Sequence, residues 1–278
     1  AVYAQLTRLV DRLLAAAAEG GVRVWGLAVS VPGVVERPSG AVDLAPAVGW
    51  RPFPLGERLA DRYRLPCHLV NDVNAALWGE LWKGLASEQA HVFALKMGTG
   101  VGAAVAFHGQ VYEGVHGAAG ELGYLLPSPE ALGREEAPPA PRGFGPFEDS
   151  VSGRALLERI RALDPDPPDD LPELFQRARR GEPRAAGLVE EAARWFAWLI
   201  LNSALLLDLE EVVLTGGLSR DPWFVGRVEA LVRGAGIRPL RLRVSALQGR
   251  ASILGAVAGL FESGRETLSF FPQGLPVL

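Results

Sequence analysis

Strand and helix patterns alternate along the first 80 residues, and this alternation restricts the fold more than any other feature of the chain. The run VYAQLTRLVDRLLAAAAEGG (2–21) sets Leu6, Leu9, Val10, Leu13 and Leu14 at helical spacing and stops at Gly20 and Gly21. VRVWGLAVSVPG (22–33) reads as a buried strand and ERPSG (36–40) as a turn. A helix over about 54–63 and a short strand in LPCHLVND (65–72) follow. Such alternation predicts an α/β architecture.

From residue 91 the pattern changes. HVFALKMGTGVGAAVAFHGQVYEG (91–114) holds two β-rich runs that meet at glycines, with His108 and Gly109 offering a hairpin turn. PSPEALGREEAPPAPRGFGPF (127–147) is so rich in proline, glycine and charge that it reads as a long surface loop. Helices are expected at about 150–162, 171–180 and 182–207, with DPDPPDD (164–170) as a spacer. The strand EVVLTGG (211–217), a helix near 222–234, the strand LRLRVSAL (240–247) and a final helix near 251–263 complete the chain.

Composition excludes several classes of function. At 278 residues and 49% hydrophobic content the chain fills one large domain or two lobes around a cleft. Its formal charge of −4 leaves no electrostatic footprint for nucleic acid or an anionic membrane. The most apolar run, WFAWLILNSALLLDLEEVVL (195–214), is interrupted at Asn202 and by Asp208–Glu211, short of the roughly 18 apolar residues of a membrane span. One cysteine, Cys67, excludes an internal disulfide framework and a multi-cysteine zinc cluster. With no signal-peptide pattern, the expected location is the cytoplasm. The chain begins at Ala1 and reads as a fragment or a processed form.

Two stretches carry candidate chemistry. In VNDVNAALWGE (70–80), Asp72 ends a strand and opens a helix, a corner where an acid either caps the first turn or contacts a ligand. Asn71 beside it offers a donor and an acceptor suited to hydroxyls. KMGTGVG (96–102) follows a strand, and its glycines permit either a plain hairpin or a phosphate-cradling turn. LTGGLS (214–219) is open to the same two readings.

Taken together, VPGVVE…GAVDLAPAVGW, VNDVNAALWGE, LKMGTGVGAAVAFHGQVYEGVHGAAGELGY, FEDSVSGRAL and VVLTGGLS resemble the ROK family, which groups bacterial sugar-responsive repressors with sugar kinases. The resemblance spans about residues 22–263. It implies an actin-like ATPase-domain (ribonuclease H-like) fold of two α/β lobes with a sugar cleft between them. Residues 1–71, with about 262–278, would form a smaller, incomplete lobe, and 72–261 a larger lobe with the nucleotide-side motifs and a dimerisation surface. By the same resemblance Gly33, Asn71, Asp72, Glu121, Tyr124 and Glu148 would line the sugar site, with Asp72 the base in a kinase. Gly98, Thr99 and Gly100 would match the phosphate turn, and Gly216 and Gly217 the adenosine side.

Two departures matter. Where the family places a zinc-ligating histidine and three cysteines, this chain has Tyr124, Pro139, Pro141 and Pro146, so no zinc is expected. The family's N-terminal DxGGT phosphate turn is absent from the sequence, and phosphoryl transfer depends on such positioning. The preferred reading is therefore the sugar-sensing effector region of a transcriptional regulator that requires no cofactor. Its partners would be a small sugar and a second copy of itself, as a homodimer or dimer of dimers, with DNA reached only through an upstream domain and no membrane partner. The alternative is an ATP- and magnesium-dependent hexose or N-acyl-hexosamine kinase, glucokinase-like. A degenerate sugar binder with neither activity is the third.

Overall fold

Pairing of the first strand begins only where its partner can begin. The computed structural model describes all residues except 37, 38, 44, 86–90, 127, 130–143, 238 and 269–278, with the backbone alone over 263–268. β1 (Leu27–Val31) runs parallel to β2 (Cys67–Asn71), in a register that sets Leu27 beside Cys67 and Val31 beside Asn71. The strand expected over 22–33 is thus shorter: Val22 and Trp25 are exposed, and the residue before Cys67 is Pro66, which has no N–H for a ladder.

α1 (Val2–Glu19) and α2 (Leu55–Tyr63) lie beside this pair. Val31, Val35, Val42, Ala45, Leu55, Leu59 and Leu69 form the core here, with Tyr3 and Leu6 of α1 packed against it. The five-residue apolar stripe read on α1 is wider than the surface it meets: Val10 is buried, while Leu9 and Leu13 are exposed. The Tyr63 hydroxyl, donating to Asp11 at 2.8 Å, ties the two helices together.

The second sheet has the order β5-β4-β3-β6-β7. It comprises β3 (Val92–Met97), β4 (Val101–Phe107), β5 (Gln110–Tyr112), β6 (Glu211–Thr215) and β7 (Arg241–Val244). β3, β4 and β5 form an antiparallel meander, whereas β6 runs parallel to β3 and β7 parallel to β6. His108 and Gly109 both adopt positive φ, 53° and 77°, the backbone that a tight hairpin between β4 and β5 requires.

Parity along β3 decides what each face meets. Phe93, Leu95 and Met97 join the larger core, which is built from α5 (Gly153–Leu163), α6 (Leu171–Arg179), α7 (Pro183–Leu207) and α8 (Pro222–Gly234). Val92 and Ala94 instead pack with Ala104, Ala106, Val213 and two residues of α3 (Asp72–Lys83), Val73 and Leu77. Both faces are covered, so the strand reads as a continuous apolar run. The same parity turns Lys96 toward the α3 side.

α9 (Ala251–Leu268) fixes α3 in place. A Cβ on Gly255 would lie 1.6 Å from the Ala75 carbonyl oxygen, and one on Gly79 2.2 Å from that of Ala251. Only glycine at both points lets the two backbones touch. α3 is therefore a rigid platform, and its first residue is Asp72.

Candidate functional site

The corner at the end of β2 divides its two duties between neighbouring residues. Asn71 is the N-cap of α3: its Oδ1 accepts from the N–H groups of Val73 at 2.8 Å and Asn74 at 3.1 Å. Its Nδ2 donates to the carbonyl of Gly33, 3.0 Å away, and Gly33 holds φ at 93°. Capping is complete without Asp72, whose carboxylate is left for other work. It pairs with the ammonium of Lys96.

A group of carboxylates faces this pair. Glu121 precedes a single 3-10 turn, Leu122–Tyr124. The segment is pinned to β4 because the Ala103 N–H donates to Gly120 at 2.7 Å, and a Cβ on Gly120 would lie 1.9 Å from the Ala103 oxygen. Burial raises the Glu121 carboxyl above its usual range; the Asp72 charge adds to this and the Lys96 ammonium opposes it.

Glu148, the first residue of the short helix α4 (Glu148–Val151), is buried and accepts a backbone hydrogen bond from Val101. Burial pushes its carboxyl up to about 7, against the opposing charge of Arg154 and with the help of Asp149 and Glu121. Near neutral pH it therefore both donates and accepts hydrogen bonds. The Tyr124 phenol is raised to about 12, by burial first and then by Glu121, Glu148 and Asp149. In a 3-10 turn residues three apart share a side, so Glu121 and Tyr124 lie together.

The glycine turn packs directly on Glu148. A Cβ on Gly100 would sit 2.3 Å from the Glu148 Oε1. Gly98 donates to Gly100 at 3.0 Å and accepts from Gly153 at 2.7 Å, leaving Thr99 exposed at the tip. Gly216, with φ at 94°, brings the end of β6 against this turn: a Cβ there would lie 2.5 Å from the Met97 oxygen. Gly217 follows at the same junction.

A cavity of about 120 Å³ opens beside Asp72, Lys96 and Gly216. Asp72 and Lys96 line it together with Thr215, Gly216, Ser219, Arg220, Ser245, Gln248, Gly249 and Ser252. Ser219 donates to Gly216 at 2.8 Å, and Ser245 binds Glu80 while accepting from the N–H of Gln248 at 2.8 Å. Gln248 has a positive φ of 50°, a strained conformation for a residue with a side chain.

The structure thus gathers Asp72, Glu121, Glu148 and Tyr124 through mutual electrostatic influence, with Asn71 and Gly33 bonded to each other behind Asp72. Gly98, Thr99, Gly100, Gly216 and Gly217 form a second, adjoining group. Lys96 and Arg220 were missed by the sequence reading, although a lone lysine in VFALKM is itself a signal. At the positions that the resemblance assigns to zinc ligands, Pro146 offers only a backbone oxygen, bonded to Ser150, and Tyr124 a phenol held near 12, so these two residues do not fit a zinc site. Pro139, Pro141 and most of the 127–147 segment lie outside the described residues.

The profile of the ROK family matches residues 1–262. A glucokinase from Halalkalibacterium halodurans is 30% identical over 209 residues, which is 70% of this chain and 62% of that protein. A xylose repressor from Caldicellulosiruptor bescii is 25% identical over 267 residues, 90% of this chain and 66% of that protein. The chain thus spans less than two thirds of the length of these curated relatives. The crystal structure of a ROK family glucokinase from Streptomyces griseus in complex with glucose and AMPPNP matches with a TM-score of 0.71 at 27% identity, over 90% of this chain and 86% of that one.

Proposed function

Because the chain belongs to the ROK family and has its actin-like ATPase fold, we propose that it binds a sugar between two lobes and serves as the sugar-sensing effector region of a transcriptional regulator. The observation that carries this reading is the state of the ground beside Asp72. Lys96 occupies it, within a cavity of about 120 Å³. Sites that enclose whole small molecules measure roughly 300–1,000 Å³, so this one suits a small group better than a nucleotide.

The sugar would lie against Asp72, Glu121 and Glu148, with Tyr124 beside them and Gly33 and Asn71 shaping the corner. Carboxylates accept from sugar hydroxyls, and Glu148, near half-protonated at neutral pH, would also donate to one. A ligand that touches residues on both sides of a cleft favours its closed state, the movement a sensor needs. On this reading DNA is contacted by a domain outside residues 1–278, and the chain works as a homodimer or dimer of dimers.

A sugar kinase is the second reading. Asp72 is free of capping and the glycine turn lies close by, as a phosphoryl acceptor site needs. In that case Gly98, Thr99 and Gly100 would hold phosphates, Gly216 and Gly217 the adenosine side, and magnesium would neutralise charge on the phosphates.

One experiment separates the two. The chain is titrated by calorimetry with a panel of hexoses, pentoses and N-acyl-hexosamines, and ADP release from ATP is followed in parallel with each sugar. Sugar binding without ADP release supports the sensor. Sugar-dependent ADP release establishes the kinase instead, and the absence of binding to every sugar removes both.

A further inference from the structure

Lys96 is the one cation in contact with the site's central carboxylate among the described residues, and it also lines a cavity that contains a second cation. The charged groups lining that cavity are Asp72, Lys96 and Arg220, so one positive charge remains after Asp72 and Lys96 neutralise each other. Arg220 is exposed and pairs with no carboxylate among the described residues. The Lys96–Asp72 pair is open to water on one side, with side chains 36% and 23% exposed. A pair so placed exchanges partners more readily than a buried one.

We propose that Lys96 couples two halves of one site: a phosphate group entering the cavity between Lys96 and Arg220 draws the ammonium away from Asp72 and releases that carboxylate for a sugar hydroxyl. The proposal rests on the sugar-binding reading above. A phosphate group near neutral pH carries about −1.5 to −2 charges against the single charge of Asp72, so it competes well for an ammonium. Arg220 is then matched as well, its planar guanidinium suiting phosphate oxygens. The small volume admits a phosphate group but not an enclosed nucleotide.

The parity of β3 leaves room for the exchange. Lys96 pairs with Gly102 on one side and Thr215 on the other, so no side chain of β4 crowds it and the end of β6 borders the cavity. Within this one cavity Lys96 thus has Asp72, its present partner, and the end of β6 at Thr215 and Gly216 as neighbours. Because coupling between two ligands is reciprocal, sugar must tighten phosphate by the factor by which phosphate tightens sugar.

Calorimetry tests this on the intact chain. The sugar that binds best in the panel is titrated in chloride, in inorganic phosphate and in ADP, all at equal ionic strength, and phosphate is titrated by itself. The expected result is a sugar Kd lowered about fivefold or more by phosphate, the smaller end of typical coupling between sites. The effect should vanish in Lys96→Met, persist in part in Lys96→Arg, and need more phosphate in Arg220→Met. An effect from ADP but not from inorganic phosphate assigns the group to a nucleotide. Urea midpoints confirm that each variant is folded. Sugar binding that ignores both anions, or coupling of unchanged size in folded Lys96→Met, overturns the coupling alone. Absence of sugar binding in every buffer overturns the sugar reading and the coupling together.

Discussion

Asn71 and Asp72 are adjacent, yet their removal should separate stability from function. Asn71→Ala deletes the oxygen that receives two backbone N–H groups at the start of α3 and the amide that donates to Gly33. Loss of an N-cap costs typically about 1 kcal/mol and up to about 2. The lost bond to Gly33 adds roughly 1 kcal/mol, since Asn71 is buried and water does not readily replace it. The expected total is about 2–3 kcal/mol, on the order of 30-fold or more in the folding equilibrium.

Asp72→Ala removes less. Its ion pair with Lys96 is partly exposed and worth about 0.2–1 kcal/mol. An acid in the first helical turn contributes roughly another 0.3–1 kcal/mol, reduced by its existing partner. The expected loss is about 1 kcal/mol. Urea unfolding followed by far-UV circular dichroism measures both, read as midpoints at a common slope. A larger loss for Asp72→Ala than for Asn71→Ala would refute the division of labour at this corner.

Two further outcomes follow from packing and charge. Gly255→Ala places a Cβ 1.6 Å from the Ala75 oxygen, so α9 must separate from α3; overpacking of this kind costs about 1–3 kcal/mol or more, and thermal unfolding should show it. An unchanged midpoint would mean that the helices are not in backbone contact. Glu148 is raised from its ordinary 4.5 to about 7, so between these values the folded state holds a proton that the unfolded state has lost. Its contribution is therefore lost as pH rises from 4.5 to 7, a penalty on the order of 3 kcal/mol above that window. Glu148→Gln should gain stability relative to wild type between pH 5 and pH 8, measured by urea titration at each pH. A constant difference between the two proteins across that range would contradict the buried, raised carboxyl.

Much of the fold is legible in local patterns. The nearly continuous apolar run VFALKM announces β3, and a glycine or proline stands at or near an end of most helices. What failed to show was set by distant partners. The length of β1 depends on where Pro66 falls in the opposite strand, and the exposure of Leu9 and Leu13 depends on how little surface α1 meets. Gly79 and Gly255 look like weak points of two helices when read alone; only their crossing turns them into a contact.

The site divides in the same way. Asp72 was identifiable, but whether it or Asn71 capped α3 turned on a one-residue choice of helix start that spacing does not fix. The parity of Lys96 could be read from the strand, while its partner could not, since that depends on how α3 lies across the sheet. Arg220 follows β6 while Ser245 and Gln248 follow β7, and they line one cavity with Lys96 only because β3, β6 and β7 are neighbours.

The central claim is that Asp72 belongs to a sugar site, and Asp72→Asn tests it most directly, because the amide keeps the shape and removes the charge. Calorimetric titration of both proteins with the best-binding sugar should show at least about tenfold weaker affinity in the variant, as expected when a hydrogen bond to a charged group is lost. Equal affinity in a folded Asp72→Asn protein would take Asp72 out of the site and the account with it.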